Sequence, residues 1–189
     1  MQIHRDQTGQ TINAIFNDPS VKPLIIDDHR FLDMSRIASD PRGYALIGED
    51  QLGAYILWPV VEGVYELHVG VLPAGRGEWA IQFSASTIEY MYTRTDCVEL
   101  ITRIPQGADA SLWLARRFRF QHRWNCPRTQ YRGKIVPYAV MSLTMFDWMP
   151  DDDPERSRIF AEMKRNGMGR KADCWYQRWA FLSAAEQVH

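Results

Sequence analysis

The 189-residue sequence has only three cysteines, Cys97, Cys126 and Cys174, an odd number with no C-x-x-C pair among them. That excludes a disulfide framework and points to a reduced, intracellular chain. The opening residues, MQIHRDQTGQ, carry neither a basic start nor an apolar run, so no signal peptide is expected. No segment approaches the ~18 uninterrupted apolar residues of a membrane span, so no membrane partner is expected. Charge of either sign is not in excess: 22 basic and 23 acidic residues leave a net charge of −1. A generally basic nucleic-acid binder is thereby excluded, and any polyanion site must be local. Metal-ligand spacing is also missing. His4, His29, His122 and His189 form no pattern with one another or with the cysteines, and His122 and Cys126, four apart, have no second pair to complete a site. No metal is expected. Ser84 and Ser111 lack the context of a nucleophile elbow, and no internal repeat or low-complexity tract is present.

What is present is apolar and aromatic: 46% hydrophobic residues, 12% aromatic, seven of them tryptophan. Such a chain can bury a substantial core. Ile12, Ile15 and Phe16 lie at helical spacing within Thr8 to Asn17, and Asp18-Pro19 ends that pattern. The segment from Ser20 to Asp40 reads as irregular or as a second short helix. Gly43 to Gly48 and Leu52 to Val61 make a hairpin, and Val64 to Leu72 is a third strand. Ile81, Ala85, Ile88 and Tyr92 mark a helix over Trp79 to Arg94. A strand over Val98 to Ile104, a helix over Asp109 to Phe118, and strands over Phe120 to Trp124 and Val136 to Phe146 follow. This order predicts a mixed, mainly antiparallel sheet flanked by helices, an α/β or α+β design. Residues 1–147 read as one domain. Residues 148–189 read as a helical extension, with Trp175 and Trp179 on one face that must bury itself somewhere.

Two stretches carry recognisable chemistry. Val71-Leu72-Pro73-Ala74-Gly75-Arg76-Gly77 joins the third strand to the long helix, and a glycine-rich strand-to-helix turn can cradle phosphate on free main-chain N–H groups. Ala108 to Phe120 runs through the second helix into the next strand. With the element order, these stretches resemble the Gcn5-related N-acetyltransferase (GNAT) superfamily: the first its V-x-P-x-x-R-G strand end and pyrophosphate loop, the second its N-x-A-x-x-x-x-Y-E-x-x-G-F helix. The turn Asn17-Asp18-Pro19-Ser20-Val21-Lys22-Pro23 also resembles small GNAT-like proteins of bacteriophages. The resemblance implies a GNAT fold over about Thr8 to Phe146 and acetyl coenzyme A as the cofactor of any enzymatic activity. It also implies that the strand main chain at Val69 and Val71 polarises the thioester carbonyl, and that Arg76 and Gly77 meet the pyrophosphate.

The sequence departs from the family pattern in several places. The loop's two small positions are occupied by Trp79 and Ile81, and Glu78 adds a carboxylate where phosphates would come. The tyrosine that protonates the leaving thiolate in the family is Ala115 here, the asparagine near the helix start is Ala108, and the glycine before Phe120 is Arg119. Alanine cannot donate a proton; Cys97, Tyr92 and Tyr131 are the possible substitutes. Glu66 and His68 lie two apart on the third strand and share one face, where either suits the work of removing a proton from an amine. Burial would tune Glu66 upward. The alternative is that they are polar residues on a half-open sheet face.

The run from Arg116 to Lys134 holds seven positive charges and no acid, with Phe118, Phe120, Trp124 and Tyr131 interleaved. It suits a solvated or self-paired surface, a protein interface, or, least, a polynucleotide. Arg116, Arg117, Arg119, Arg123 and Trp124, with Trp175 and Trp179, are the candidate interface residues. Two readings therefore compete. The leading one is a GNAT-fold interaction or assembly component with a degraded coenzyme site and no cofactor, with a protein partner or a second copy of itself, acting in a bacterial cytoplasm or, if phage-encoded, in a virion. The alternative is an acetyl-CoA-dependent N-acetyltransferase with a divergent site.

Overall fold

The structure, a computed structural model, describes residues 1–25 and 30–149. The helical extension expected beyond 149, with Trp175 and Trp179, lies outside the described residues. The described chain forms one compact unit over Met1–Met145. Its elements run β1 (Ile3–Arg5), α1 (Gln10–Phe16), α2 (Ser35–Ser39), β2 (Tyr44–Gly48), β3 (Gly53–Val61), β4 (Val64–Val71), α3 (Glu78–Arg94), β5 (Glu99–Pro105), α4 (Asp109–Arg117), β6 (Gln121–Tyr131) and β7 (Lys134–Thr144).

Seven strands form one sheet in the order β1-β2-β3-β4-β5-β7-β6, antiparallel except where β4 meets β5. This is the mixed, mainly antiparallel sheet that the sequence predicts. Two elements differ from expectation. β1 is too short to show a period, and it joins the sheet through pairing with β2 rather than through its own apolar content. The strands expected to end at Trp124 and to begin at Val136 are one hairpin, with eleven residues on each side. Pro127 and the basic residues around it hide the alternation, and β6 tolerates the proline because it is the sheet edge.

Alternation along β3 fixes which helices cover which face. Ala54 and Ile56 join Ile12, Ile15 and Phe16 of α1 in one cluster, whereas Tyr55 meets Phe83 of α3 at 5.2 Å. Successive residues point to opposite faces, so α1 and α3 lie on opposite sides. Glu66 pairs opposite Trp58, and His68 opposite Ile56, which puts both on the α1 side.

The start of α1 is built by one carboxylate. Asp6 Oδ1 accepts from Thr8 N–H (3.0 Å), Thr8 Oγ1 (2.9 Å) and Gly9 N–H (2.9 Å), and its Oδ2 accepts from Ile12 N–H (3.0 Å). Burial pushes this carboxyl up, but the hydrogen bonds outweigh it and hold Asp6 below the usual carboxylate range. Gly9, at φ 78°, is required there: a Cβ would lie 2.6 Å from Ser35 Cα.

Candidate active site

β4 and β5 run side by side for only three residue pairs, Val64–Glu99, Tyr65–Leu100 and Glu66–Ile101. Beyond them β4 continues against β3 as far as Val71, and β5 continues against β7 as far as Pro105. The sheet is split between them. Leu72 N–H donates to Leu52 O on the β3 side at 2.8 Å. Since main-chain groups alternate between the two edges of a strand, those of Val69 and Val71 face the split. These are the two positions whose main chain the family resemblance assigns to a thioester. α3 starts just past the end of β4 and α4 just past the end of β5, so both helix N-termini border the open end of the split.

The loop into α3 differs from what its sequence suggests. The indole of Trp79 does not lie over the helix start. It packs under the β2–β3 turn, where a Cβ on Gly48, Gly53 or Gly75 would come within 2.7, 2.9 or 3.0 Å of it. Its Nε1–H donates to Asp50 Oδ2 at 3.2 Å, and its ring stacks at 4.8 Å on Phe83. The expected steric block at this position is therefore corrected: three glycines make room for the side chain elsewhere. Gly77, the residue before α3, has φ 89°, and a Cβ there would meet nothing within 4 Å. Glu78 Oε1 accepts from Gln82 Nε2 at 3.4 Å, one turn into the helix. Arg76 donates to Ser20 O at 3.1 Å, tying the loop to the turn after α1. Gly77 in an open position and the start of a 17-residue helix leave main-chain N–H groups that suit a diphosphate, with Glu78 and Ile81 still in the helix's first turn.

At the closed end of the split lies a side-chain cluster. Glu66, only 8% exposed, holds Oε1 at 2.5 Å from both Nε and Nη2 of Arg103 and at 3.3 Å from Nε2 of His68. Burial pushes the Glu66 carboxyl up, but His68 and then Arg103 outweigh it and hold it below the usual carboxylate range. The expected upward tuning of Glu66 is thus reversed, because His68 beside it, and then Arg103, which the sequence reading did not supply, outweigh burial. Arg103 comes from β5 at register Arg103–Val140, and its guanidinium also meets Tyr138 of β7. Burial and then Cys126 push the Tyr138 phenol up to about 12 against the pull of Arg103, so it remains a neutral hydroxyl. The one visible signal for Arg103 was a cation inside the apolar strand Glu99–Pro105.

Other candidates are placed elsewhere. Ala115 is buried on α4 and offers no proton. The substitutes considered for its missing hydroxyl are committed to other work: Tyr92 donates to Leu143 O in the core, and Tyr131 stacks with Arg132 at the far end of the β6–β7 hairpin. Cys97 is fully buried, which pushes its thiol up and leaves it inert. Arg116 and Arg117 form the exposed last turn of α4, Arg117 lying 5.5 Å over Trp113, and Arg119 follows at φ 64°. Arg123 donates to Ser142 Oγ at 2.7 Å across β6 and β7, and Trp124 is half-buried opposite Val140. Among the described residues no group of histidine, cysteine and carboxylate side chains gathers to hold a metal, and no helix is long and apolar enough to cross a membrane.

No protein-family model matches the sequence, and no curated protein matches it either. Solved structures do match in shape. A mutant spermidine N-acetyltransferase from Vibrio cholerae superposes with TM-score 0.66 at 11% identity, over 81% of this chain and 100% of that one. A ribosomal-protein-alanine N-acetyltransferase from Brucella melitensis gives 0.60 at 20% identity, over 77% and 100%. An assigned acetyltransferase of Salmonella typhimurium, solved with its cofactor acetyl-CoA, gives 0.58 at 18% identity, over 82% and 97%. At these identities the likeness is one of fold: this chain has the GNAT fold.

Proposed function

We propose that this protein is an acetyl-CoA-dependent N-acetyltransferase. The observation that carries the reading is the split beside β4, where main chain at Val69 and Val71 faces an edge with no strand against it and His68 stands on the adjoining face. Bound acetyl-CoA supplies an activated acetyl group as a thioester. The main chain of Val69 and Val71 would hold its arm, and a β4 N–H would serve as donor to its carbonyl oxygen. Gly77, the start of α3 and Arg76 hold the diphosphate. His68 would take the proton that the acceptor amine loses as its nitrogen bonds to the carbonyl carbon and the carbon–sulfur bond breaks. The coenzyme would leave as the thiolate and be protonated from solvent, since Ala115 has no hydroxyl to give a proton. An imidazole suits this exchange, since one ring nitrogen can accept a proton while the other keeps its hydrogen.

Calorimetric titration with acetyl-CoA tests the reading, followed by thiol release in the presence of peptide N-termini, lysine peptides and polyamines. Binding and amine-dependent thiol release are expected, with His68→Ala lowering kcat by about 10²–10⁴-fold. No heat up to millimolar acetyl-CoA would eliminate the proposal. It places the alternative sequence reading ahead of the assembly reading, one of whose premises, a loop blocked by Trp79, is removed by the position of the indole.

A further inference from the structure

The cluster at the closed end of the split contains one residue to which no motif gives a part. Arg103 brings two N–H groups of one rigid plane to a single oxygen, Glu66 Oε1, and His68 Nε2 lies 3.3 Å from that same oxygen. We propose that Arg103 is a positioning residue for acetyl transfer: it fixes the Glu66 carboxylate in place and aimed at His68 Nε2, which leaves Nδ1 as the atom that takes the proton. The proposal rests on the reading of His68 as the base.

The physical argument starts from burial. A carboxylate 8% exposed is costly to keep ionised unless it is paired. Without Arg103, Glu66 would take up a proton or swing toward water, and in either case it would stop acting as a fixed acceptor for the imidazole. With Arg103 it is an acceptor-only group, so the ring nitrogen facing it must carry the hydrogen, and the other nitrogen keeps its lone pair. The fork matters as well as the charge. A lysine ammonium could neutralise Glu66 but could not set two parallel N–H groups against it. β3 offers Ile56 opposite His68, and α1 and the turn after it bring Ile15, Phe16 and Val21 over the neighbouring Gly70. Among the described residues, the titratable and charged groups that act on the cluster are Glu66, His68, Arg103 and, behind it, Tyr138 of β7.

Two measurements on the full chain test this. The first needs no activity. In the unliganded protein labelled with ¹⁵N-histidine, at about pH 9 where imidazoles are neutral, the His68 resonances are identified by their loss in His68→Ala. A single Nε2–H form is expected in the parent protein, a mixture of both ring forms in Arg103→Met, and an intermediate spectrum in Arg103→Lys. Unchanged His68 resonances in Arg103→Met would overturn the proposal. Should the methionine variant fail to give a cooperative melt, the lysine variant carries the same comparison, and a spectrum like the parent's overturns it equally. The second measurement is kinetic. Arg103→Met is expected to lower kcat by about 10–10²-fold with coenzyme affinity unchanged, and to cause no further loss in a His68→Ala background, because groups acting as one unit are not additive. Equal losses in both backgrounds would also overturn it. If the resonances respond to Arg103 while the parent protein turns over no acetyl-CoA, Arg103 still sets the ring form of His68, but the transferase reading falls and with it a part for Arg103 in acetyl transfer.

Discussion

Trp79 shows what a residue name leaves out. Its bulk at a loop position that wants a small side chain reads as an obstruction, yet the structure turns the indole under the β2–β3 turn. The direction of a side chain is a property of its neighbours. Here those are Gly48, Gly53 and Gly75, which are visible in the sequence but mean nothing until the hairpin folds over the loop. A methyl group at Gly48 would lie 2.7 Å from the indole. Gly48→Ala is therefore expected to cost about 1–3 kcal/mol in urea unfolding. By pushing the ring toward the helix start, it should weaken acetyl-CoA binding more than it weakens the fold. Equal acetyl-CoA affinity in the variant would show that the indole's resting place does not matter to the loop. Glu66 and His68 were legible as a pair because period two is a reliable property of strands, and both do lie on one face. Arg103 was not, because its relation to Glu66 depends on how β4 and β5 align.

At the scale of elements, the regular pieces were readable and the irregular ones were not. Apolar spacing marks α1, α3 and the β2–β3 hairpin, whereas β1 and the outer part of the β6–β7 hairpin owe their form to pairing rather than to their own residues. The entry into α1 shows a third kind of determinant, a single carboxylate satisfying several N–H groups. Asp6→Asn is expected to cost about 1–3 kcal/mol, since it removes the charge from a buried, fully used acceptor. The pH dependence has a definite sign. The folded carboxyl titrates below its unfolded value, ordinarily about 3.9, so its stabilisation is complete above that pH and is lost as pH falls through the folded value. Thermal melts between pH 7 and about pH 2.5 should therefore show a shallower acid decline in Asp6→Asn than in the parent; parallel curves would mean that Asp6 is not stabilising as an anion.

For the molecule as a whole, element order was enough to suggest the GNAT fold, and shape comparison agrees at identities of 20% and below. Function is less tied to order, because it depends on what the split between β4 and β5 receives. Ligand linkage gives a test independent of any acceptor. Acetyl-CoA at one hundred times its dissociation constant adds about 2.7 kcal/mol to stability. For a chain of this length that corresponds to a rise in Tm of about 5–10 °C. Inorganic phosphate should give far less, since it cannot run along Val69 and Val71. An unchanged Tm with acetyl-CoA would argue against a formed site.

A sheet whose two parts share an edge over three residue pairs carries its own gauge of occupancy. In solution without a ligand, water competes for the amides of Val69 and Val71, and their hydrogens should exchange for deuterium quickly although the amides before and after them are locked to β3. A guest lying along that edge would act as an eighth, non-protein strand and slow those two sites selectively. Peptide-level exchange across residues 67–72 would then show whether the edge is filled, whatever molecule fills it.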